Sequence, residues 1–244
     1  MDQLIADQLR SELPDAVIGS EIIVLEQTGS TNDAILQLAS RQGAALSRGR
    51  GSLGEGRSLR SMPDGMVVFA EHQTAGRGQR GNRWESTGGK GLWFSILLRP
   101  EINLSDSGLL TIWAIETLAD VIRTQCELEP VIKLPNDVQL YGRKVAGVLV
   151  EMRAQNKAPH IAVIGIGINI NQCREDFPVK LRDRAISIAM AVGRQVDRQK
   201  FARALLRTLD LTYRQKFSKA IATVNSSPAP TASHDKCVAR SRTA

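Results

Sequence analysis

The sequence predicts an α+β fold in which a mixed, largely antiparallel sheet is flanked by helices. It contains several short apolar runs typical of strands and three or four stretches with helical spacing, and these do not alternate as strict βαβ units. Two of the strand patterns are also joined across Gly142-Arg143, and so short a connection indicates an antiparallel hairpin.

The first half of the chain is predicted to contain three strands and two helices. The strands are predicted over residues 22–25, 66–70 and 92–98. Capping side chains at residues 30–33 precede a helix that we expect to end near residue 41. A long amphipathic helix is predicted from Ser105.

The second half is predicted to contain the hairpin, a further strand and a closing helix. The strands are predicted over residues 131–132, 138–141, 144–150 and 161–170. The closing helix is predicted to begin near Asp197, a residue type that favours the N-cap position. Its apolar residues recur at i+4 steps along one stripe: Phe201, Leu205, Leu209, Tyr213 and Phe217.

Two segments contain too few large apolar residues to bury much surface. Residues 43–64 are rich in Gly, Ser and Arg, and we expect residues 47–62 to form a mobile loop. The Ser- and Pro-rich residues 218–244 are expected to form a disordered tail. The folded part is therefore predicted to be one domain over residues 1–217.

The formal charge of +7 and the pI of 9.7 suggest a nucleic-acid-binding protein as one alternative. However, residues 47–62 and 218–244 carry net charges of +3 each, which leaves only +1 of the total for the remainder. A folded basic surface would carry its charge on ordered elements. We therefore expect no DNA partner.

Other classes of protein are excluded by composition. No apolar stretch approaches the ~18 residues of a transmembrane helix, and the acidic N-terminus does not resemble a secretory signal. The three cysteines, Cys126, Cys173 and Cys237, form no CxxC motif and predict neither a disulfide framework nor a zinc site. We expect a cytoplasmic protein with no membrane partner.

The glycine- and arginine-rich loop over residues 73–84 is the most informative stretch. Its sequence is QTAGRGQRGNRW, in which glycines allow close backbone approach to a ligand and arginines offer forked donors for phosphates and carboxylates. Trp84 can present a flat face to a planar ring. A solvated surface turn is about equally favoured by the residues alone, since the loop is neither a Walker A motif nor a dinucleotide fingerprint followed by a helix.

Three further stretches contain candidate chemistry, each with a structural alternative. Residues 133–137 (KLPND) place Asn136 and Asp137 in a bend. These side chains can bind phosphate, magnesium or adenine, or they can form local hydrogen bonds that stabilise the turn. Residues 143–151 (RKVAGVLVE) begin with two cations. Lys144 can stabilise a carboxylate that is becoming an acyl phosphate, or it can be a hairpin lysine that points into solvent. Residues 165–169 (GIGIN) put two glycines on one strand face, for ligand approach or for crowded packing.

These four stretches, together with Ser30-Thr31-Asn32, resemble the motifs of the biotin protein ligase family and occur in the same order. Residues 133–137 are similar to its K-W-P-N-D motif, residues 143–151 to its R-K-(L/V)-A-G-(I/V)-L-V-E strand, and residues 165–169 to its G-x-G-x-N strand. The resemblance extends over about residues 21–217. It implies that the domain is a biotin/lipoate ligase catalytic domain, similar to those of class II synthetases.

The resemblance also implies an ATP-dependent ligase that activates biotin as biotinyl-AMP and transfers it to a lysine of a biotin carboxyl carrier protein. The implied catalytic residues are Lys144 and Arg77. The implied biotin-binding residues are Ser30, Thr31, Asn32, Gln73, Gly76, Arg77, Gly78, Gln79, Lys144, Gly147, Leu149 and Gly165. The implied ATP-binding residues are Arg80, Arg83, Trp84, Asn136, Asp137 and Asn169. Mg²⁺ is expected with ATP but without a set of protein ligands, and the protein is expected to be a monomer or homodimer.

The chain departs from the family pattern in several places. Gln79 stands where well-known bacterial members have an arginine. Glutamine lacks the positive charge, so we expect retention of the adenylate to be affected. Leu134 replaces the usual tryptophan, a change that we attribute to packing. Residues 47–62 resemble an insertion, and residues 218–244 are too polar to form the family's usual C-terminal barrel. We also expect no N-terminal DNA-binding domain and no repressor role.

Two alternative functions related to this family stay open. One is a lipoate or octanoate ligase or transferase on the same fold. Gln73 and the loop around Arg77 favour biotin, because an aliphatic acyl chain needs fewer polar partners. The other is an inactive ligase that only sequesters biotin, an alternative that the change at Gln79 keeps open.

Overall fold

A seven-stranded sheet organises the chain in the computed structural model, which describes residues 3–45, 63–155 and 159–217. The strands are β1 (Ile22–Thr28), β2 (Val67–Gln73), β3 (Gly91–Leu98), β4 (Val131–Lys133), β5 (Asp137–Leu140), β6 (Arg143–Arg153) and β7 (Ile161–Asn169). Their order in the sheet is β1-β2-β3-β7-β6-β5-β4. Strands β1 and β2 are parallel and the other described pairs are antiparallel, which confirms the predicted mixed, largely antiparallel sheet.

Helices cover both faces of this sheet. They are α1 (Ala6–Arg10), α2 (Thr31–Ala45), α3 (Ser107–Cys126), α4 (Ile188–Val192) and α5 (Arg198–Phe217). Helix α5 begins as predicted, since Asp197 Oδ1 accepts a hydrogen bond from the Lys200 N–H at 2.8 Å. Helices α1 and α4 were not predicted, because five residues are too few to show a periodic apolar pattern.

Some of the predictions concern residues that the structure does not describe. The predicted loop over residues 47–62 and the predicted tail over residues 218–244 both lie outside the described ranges. Within those ranges, no helix combines the length and the apolar character needed to cross a membrane. Cys126 and Cys173 are free thiols, and Cys237 belongs to the tail.

Alternation along the strands gives the sheet two unlike faces. On β3, Leu92, Phe94 and Ile96 belong to the large core beneath α3 and α5. The opposite face meets α2 in a smaller apolar cluster around Ile35 and Leu97. Next to that cluster, the α2 face of the sheet carries polar side chains and glycines.

The hairpin between β5 and β6 turns at Tyr141 and Gly142. Both residues have left-handed backbone angles, with φ of +51° and +73°, as a type I′ hairpin turn requires. The sequence predicted the turn across Gly142-Arg143, so the observed turn lies one residue earlier. Arg143 is therefore the first residue of β6.

A buried ion pair connects elements that are far apart in the sequence. Arg198, which is 2% exposed, donates from Nη2 to Glu71 Oε2 at 2.5 Å. It also donates to the carbonyl oxygens of Gly89 and Gly91, at 2.7 and 3.0 Å. Glu71 Oε1 accepts from the Leu4 N–H at 2.7 Å. The pair thereby joins the N-terminal segment, β2, the start of β3 and α5.

Candidate active site

Three glycines form the floor of a pocket on the α2 face of the sheet. Gly147 of β6 pairs with Gly167 of β7, and Gly165 lies two residues earlier on β7. A Cβ atom on Gly165 would lie 2.3 Å from Asn32 Oδ1, and one on Gly167 would lie 2.6 Å from Trp84 Cε2. Side chains of other elements therefore occupy the space that a larger residue would need.

The empty space of the pocket is about 420 Å³ when the solvent at its open mouth is counted with it. Its walls come from the start of α2, the glycine–arginine loop and strands β6 and β7. The lining residues are Ser30, Thr31, Asn32, Gln73, Arg77, Gly78, Trp84, Asn136, Lys144, Gly147, Val148, Leu149, Gly165, Ile166 and Gly167. Motifs that are widely separated in the sequence thus meet at one site.

A buried polar network lies beside the floor. Gln73 Oε1 accepts from the Thr31 N–H at 2.8 Å, and Ser95 Oγ lies 2.6 Å from Asn32 Oδ1 and 2.8 Å from Thr31 Oγ1. Each of these four side chains belongs to a residue less than a tenth exposed. The Gln73 amide nitrogen has no hydrogen-bond partner among the described residues, so it can donate to a bound ligand.

The glycine–arginine loop folds into a small hairpin. The Trp84 N–H donates to Gly76 O at 2.9 Å, and the Gly78 N–H donates to Asn82 O at 2.7 Å. Arg80 lies at the tip with a left-handed φ of +56°. A Cβ atom on Gly76 would lie 2.6 Å from the Trp84 carbonyl oxygen, so the hairpin requires glycine at this position.

Two carboxylates hold Arg77. Its Nη1 and Nη2 donate to Glu151 Oε1 and Oε2 at 3.0 and 2.7 Å, and Nη2 also donates to Asp33 Oδ1 at 2.9 Å. Glu151 Oε2 accepts a further hydrogen bond from Asn32 Nδ2 at 2.6 Å. Glu151 therefore connects the hairpin loop with the buried polar network.

Lys144 lies at the edge of the glycine floor. Its Nζ is 2.6 Å from Asp137 Oδ1 and 5.1 Å from the centroid of the Trp84 ring. Asp137 Oδ1 is buried and lacks a well-aligned hydrogen bond, so the nearby ammonium compensates its charge. The Lys144 backbone is also fixed, because its N–H donates to Arg184 O at 2.8 Å and its carbonyl accepts from the Ile186 N–H at 3.0 Å.

Comparison with known proteins assigns the chain to a family. A model of the Biotin/lipoate A/B protein ligase family matches residues 47–169. The chain belongs to this family. The Bifunctional ligase/repressor BirA of Bacillus spizizenii is 32% identical over 212 residues, which cover 87% of this chain and 59% of that protein. The biotin–acetyl-CoA-carboxylase ligase of Mycobacterium tuberculosis is 31% identical over 207 residues, which cover 81% of this chain and 68% of that protein.

A solved structure of the same family agrees with the observed fold. The biotin protein ligase from Aquifex aeolicus in complex with biotin and ATP is 27% identical, with a TM-score of 0.58. The match covers 81% of this chain and 73% of that chain. The predicted class of fold, that of the biotin/lipoate ligase catalytic domain, is therefore confirmed.

The family motifs contribute most of the predicted site residues to the pocket, but several of them do not line it. These are Gly76, Gln79, Arg80, Arg83, Asp137 and Asn169. Gly76 shapes the hairpin, Asp137 contacts the pocket through Lys144, and Gln79 and Arg80 lie in the hairpin turn. Their roles toward biotin or ATP stay predictions.

Arg83 and Asn169 bind backbone carbonyls instead of facing the pocket. Arg83 Nη2 donates to Thr74 O at 2.9 Å. Asn169 is 5% exposed, and its Nδ2 donates to Ile186 O at 3.1 Å and more weakly to Lys144 O at 3.4 Å. Asn169 thus joins β6 to the segment before α4, close to Lys144. The predicted contact of Asn169 with ATP stays a prediction.

Sequence reasoning did not name the pocket-lining residues Val148, Ile166 and Gly167, although they lie within the quoted motifs. It also missed two polar residues beside the pocket, Ser95 and Glu151. Ser95 is a single polar residue within the apolar β3, and a lone hydroxyl in a buried strand is the signal that marks it. Glu151 belongs to a quoted motif, but its partner Arg77 is 74 residues away. The expectation that Leu134 serves packing is wrong, because this residue is 68% exposed in the turn between β4 and β5.

Proposed function

We propose that this protein is a biotin–protein ligase that activates biotin with ATP and transfers it to a lysine of a carrier protein. The observation that carries the proposal is the convergence of Lys144, the Arg77 hairpin and the buried Gln73–Thr31 network on one glycine-floored pocket. The names of the bacterial relatives, and the biotin and ATP bound in the Aquifex structure, support it further. The chain spans 59% of the Bacillus relative, so the proposal concerns the ligase activity alone.

The proposed reaction has two steps. A carboxylate oxygen of biotin attacks the α-phosphorus of ATP, an O–P bond forms, and pyrophosphate leaves. The neutral amine of a carrier lysine then attacks the acyl carbon, an amide bond forms, AMP leaves, and the amine proton passes to solvent. Both partners in the first step are anionic, so a fixed cation at the pocket edge lowers the barrier, and we assign this role to Lys144.

The hairpin loop is proposed to shield the mixed anhydride from water. Arg77 and Gly78 line the pocket, and the same hairpin carries Trp84 over Gly147 and Gly167. An anhydride hydrolyses when water reaches it, so a covering loop protects the activated acid until the carrier arrives. Trp84 Nε1 is buried without a hydrogen-bond partner among the described residues and offers a donor to the bound nucleotide.

Gln73 supports biotin over lipoate or octanoate as the substrate. Its amide nitrogen is a donor within an otherwise satisfied network. The ureido oxygen of biotin can accept from it, whereas the dithiolane of lipoate and the alkyl chain of octanoate offer no comparable acceptor. A pocket donor left without a partner penalises those acids, since desolvation of an unpaired polar group costs about 1–3 kcal/mol.

Mg²⁺ is proposed to enter as the complex with ATP. Within the described ranges, no group of three His, Cys, Asp or Glu residues could hold a metal ion. Magnesium commonly binds through substrate phosphates and water with one or two carboxylates. The carrier is proposed to be a biotin carboxyl carrier protein in the cytoplasm, where ATP and reduced thiols are available.

The proposal is tested by incorporation of labelled biotin into a purified biotin-carrier domain with ATP and magnesium. We expect labelling by the parent and a loss of about 100-fold or more in Lys144→Ala, because removal of a charge-stabilising donor has effects of that size. Lys200→Ala is the matched control, since this exposed lysine of α5 does not line the pocket. Acceptance of lipoate or octanoate in place of biotin would contradict the proposal, and so would the absence of any transfer.

A further inference from the structure

Glu151 lies between the hairpin loop and the buried polar network. Its two carboxylate oxygens accept three hydrogen bonds, two from Arg77 and one from Asn32 Nδ2. Arg77 belongs to the hairpin, whereas Asn32 belongs to the first turn of α2. One side chain at the far end of β6 therefore contacts both walls of the pocket.

The orientation of the Asn32 amide depends on Glu151. Its Oδ1 lies 2.6 Å from Ser95 Oγ and its Nδ2 lies 2.6 Å from Glu151 Oε2. If the amide were flipped, Oδ1 would face a carboxylate, which can only accept hydrogen bonds. Asn32 is 3% exposed and fills the space above Gly165, so little room is left for another position. Glu151 thus fixes the Asn32 amide with its Nδ2 toward Glu151 and its Oδ1 toward Ser95.

We propose that Glu151 is a positioning residue of the biotin site, which couples the closed hairpin to the orientation of Asn32. The loop and the polar network then adopt their ligand-binding arrangement together. This inference rests on the proposed function for the identity of the ligand. The coupling itself is a property of the ligand-free protein, because the contacts that define it involve only protein atoms.

Replacement of Glu151 by leucine removes both sets of contacts. Leucine is similar in size but has no atom that accepts a hydrogen bond, whereas Arg77 and Asn32 Nδ2 both only donate. Glutamine is unsuitable, because an amide oxygen at the Oε2 position would still accept from both Arg77 Nη2 and Asn32 Nδ2. Glu151→Asp keeps two acceptors on a shorter stem and serves as the conservative variant.

Asp33→Asn is the matched control. Asp33 also accepts from Arg77 Nη2, at 2.9 Å, but within the described part of the chain its carboxylate makes no hydrogen bond with Asn32. Its side chain is 50% exposed and that of Glu151 is 32% exposed, so both substitutions weaken a partly solvated contact with the same arginine. The two variants therefore differ in their effect on Asn32.

The experiment combines hydrogen exchange of the Gly78 and Trp84 amides with biotin titration and steady-state kinetics. Both amides donate within the hairpin and report its closure. We expect faster exchange in both variants, whereas only Glu151→Leu should raise the Kd and KM for biotin, by about 10-fold. Its kcat at saturating biotin should change no more than that of Asp33→Asn, because both variants loosen the same Arg77. Glu151→Asp should recover part of the affinity.

Three results would overturn the coupling. One is equal biotin affinity in Glu151→Leu and Asp33→Asn. Another is a fall in kcat with unchanged KM. The third is hairpin exchange in Glu151→Leu at the parental rate. This measurement needs no ligand and decides the matter even if the parent does not bind biotin. A parent that fails to transfer biotin would instead contradict the proposed function.

Discussion

At the scale of single residues, Gly165 has a consequence for the whole pocket. Glycine inside a strand is less stable than alanine by about 0.5–1 kcal/mol, so a residue without a side chain needs a local reason. Here the reason is Asn32, whose Oδ1 would lie 2.3 Å from an added Cβ atom. Overpacking a buried site is destabilising by about 1–3 kcal/mol, which exceeds the gain in strand propensity.

Gly165→Ala is therefore expected to displace Asn32 and to weaken biotin binding by about 10-fold or more. Unfolding in urea should show a moderate loss of stability, and calorimetric titration should show the loss of affinity. Gly108→Ala is the control, since a Cβ atom on this exposed residue of α3 would meet nothing within 4 Å. Parental biotin affinity in Gly165→Ala would mean that Asn32 is not confined as described.

At the scale of elements, Asp176 joins the segment after β7 to the start of β3. Its carboxylate accepts from Lys90 Nζ at 2.6 and 2.7 Å and from the Cys173 N–H at 2.8 Å. Burial alone would raise the pKa of the Asp176 carboxyl, but the hydrogen bonds from Lys90 and Cys173 outweigh it and hold that pKa below its ordinary value of 3.8. The ionised form of Asp176 is therefore more stable, relative to the protonated form, in the folded chain than in the unfolded chain.

Asp176→Asn is expected to lower the free energy of unfolding at pH 7 by about 1 kcal/mol, a modest value because Lys90 is one-third exposed. A lowered carboxyl pKa stabilises the fold above the unfolded value of 3.8, and this contribution is lost as the pH falls through the folded value. The difference between parent and variant should thus shrink below pH 3.8. Urea unfolding at several pH values measures it.

Asp183→Asn provides the comparison for this pH dependence. Asp183 also pairs with an arginine, Arg174, but its side chain is 83% exposed. No measurable change in stability is expected for it at either end of the pH range. A difference for Asp176→Asn that stayed constant from pH 7 to pH 3 would show that its carboxylate charge is not the source of the stabilisation.

The elements that could be predicted from the sequence are those whose signal is local. The apolar stripe of α5 and the runs in β2 and β3 lie within single stretches of chain, and all three were predicted. The predicted hairpin turn was wrong by one residue. The type I′ turn places Tyr141 in a left-handed conformation, which a tyrosine in the sequence does not predict. The short α1 and α4 carry too few residues for any period to appear.

At the scale of the whole molecule, the buried pair between Arg198 and Glu71 spans 127 residues of sequence. Removal of one partner leaves the other charge buried without compensation, which costs about 3–5 kcal/mol in such pairs. Arg198→Met is therefore expected to lower the free energy of unfolding by about that amount. The double variant with Glu71→Gln should lose less than the sum of the two single variants, and urea unfolding of all four proteins measures the coupling.

Arg207→Met is the control for this prediction. Arg207 pairs with Glu12 at 2.7 Å, but its side chain is 64% exposed, and exposed pairs stabilise a fold by about 1 kcal/mol or less. Additive losses in the Arg198 and Glu71 variants, or a loss for Arg198→Met no larger than for Arg207→Met, would contradict a cooperative role for the buried pair.

The long-range arrangement is the part that sequence reasoning could not supply. Family motifs identified the strands that carry Lys144 and the glycines, but not that β7 lies between β3 and β6 or that β1 runs parallel to β2. These features depend on pairings between distant segments, which leave no local pattern. The contact between Arg77 and Glu151 was not predicted for the same reason.

The glycine floor makes the bottom of the pocket rigid. Gly147, Gly165 and Gly167 have no side-chain torsions, and their backbones are fixed by the ladder of β6 and β7. The depth of the pocket is therefore set by main-chain geometry and cannot adjust through a change of rotamer. Any accommodation of a longer or wider acid must come from the Trp84, Lys144 and Arg77 walls. The floor acts as a rigid template, and selection among ligands by size belongs to the walls.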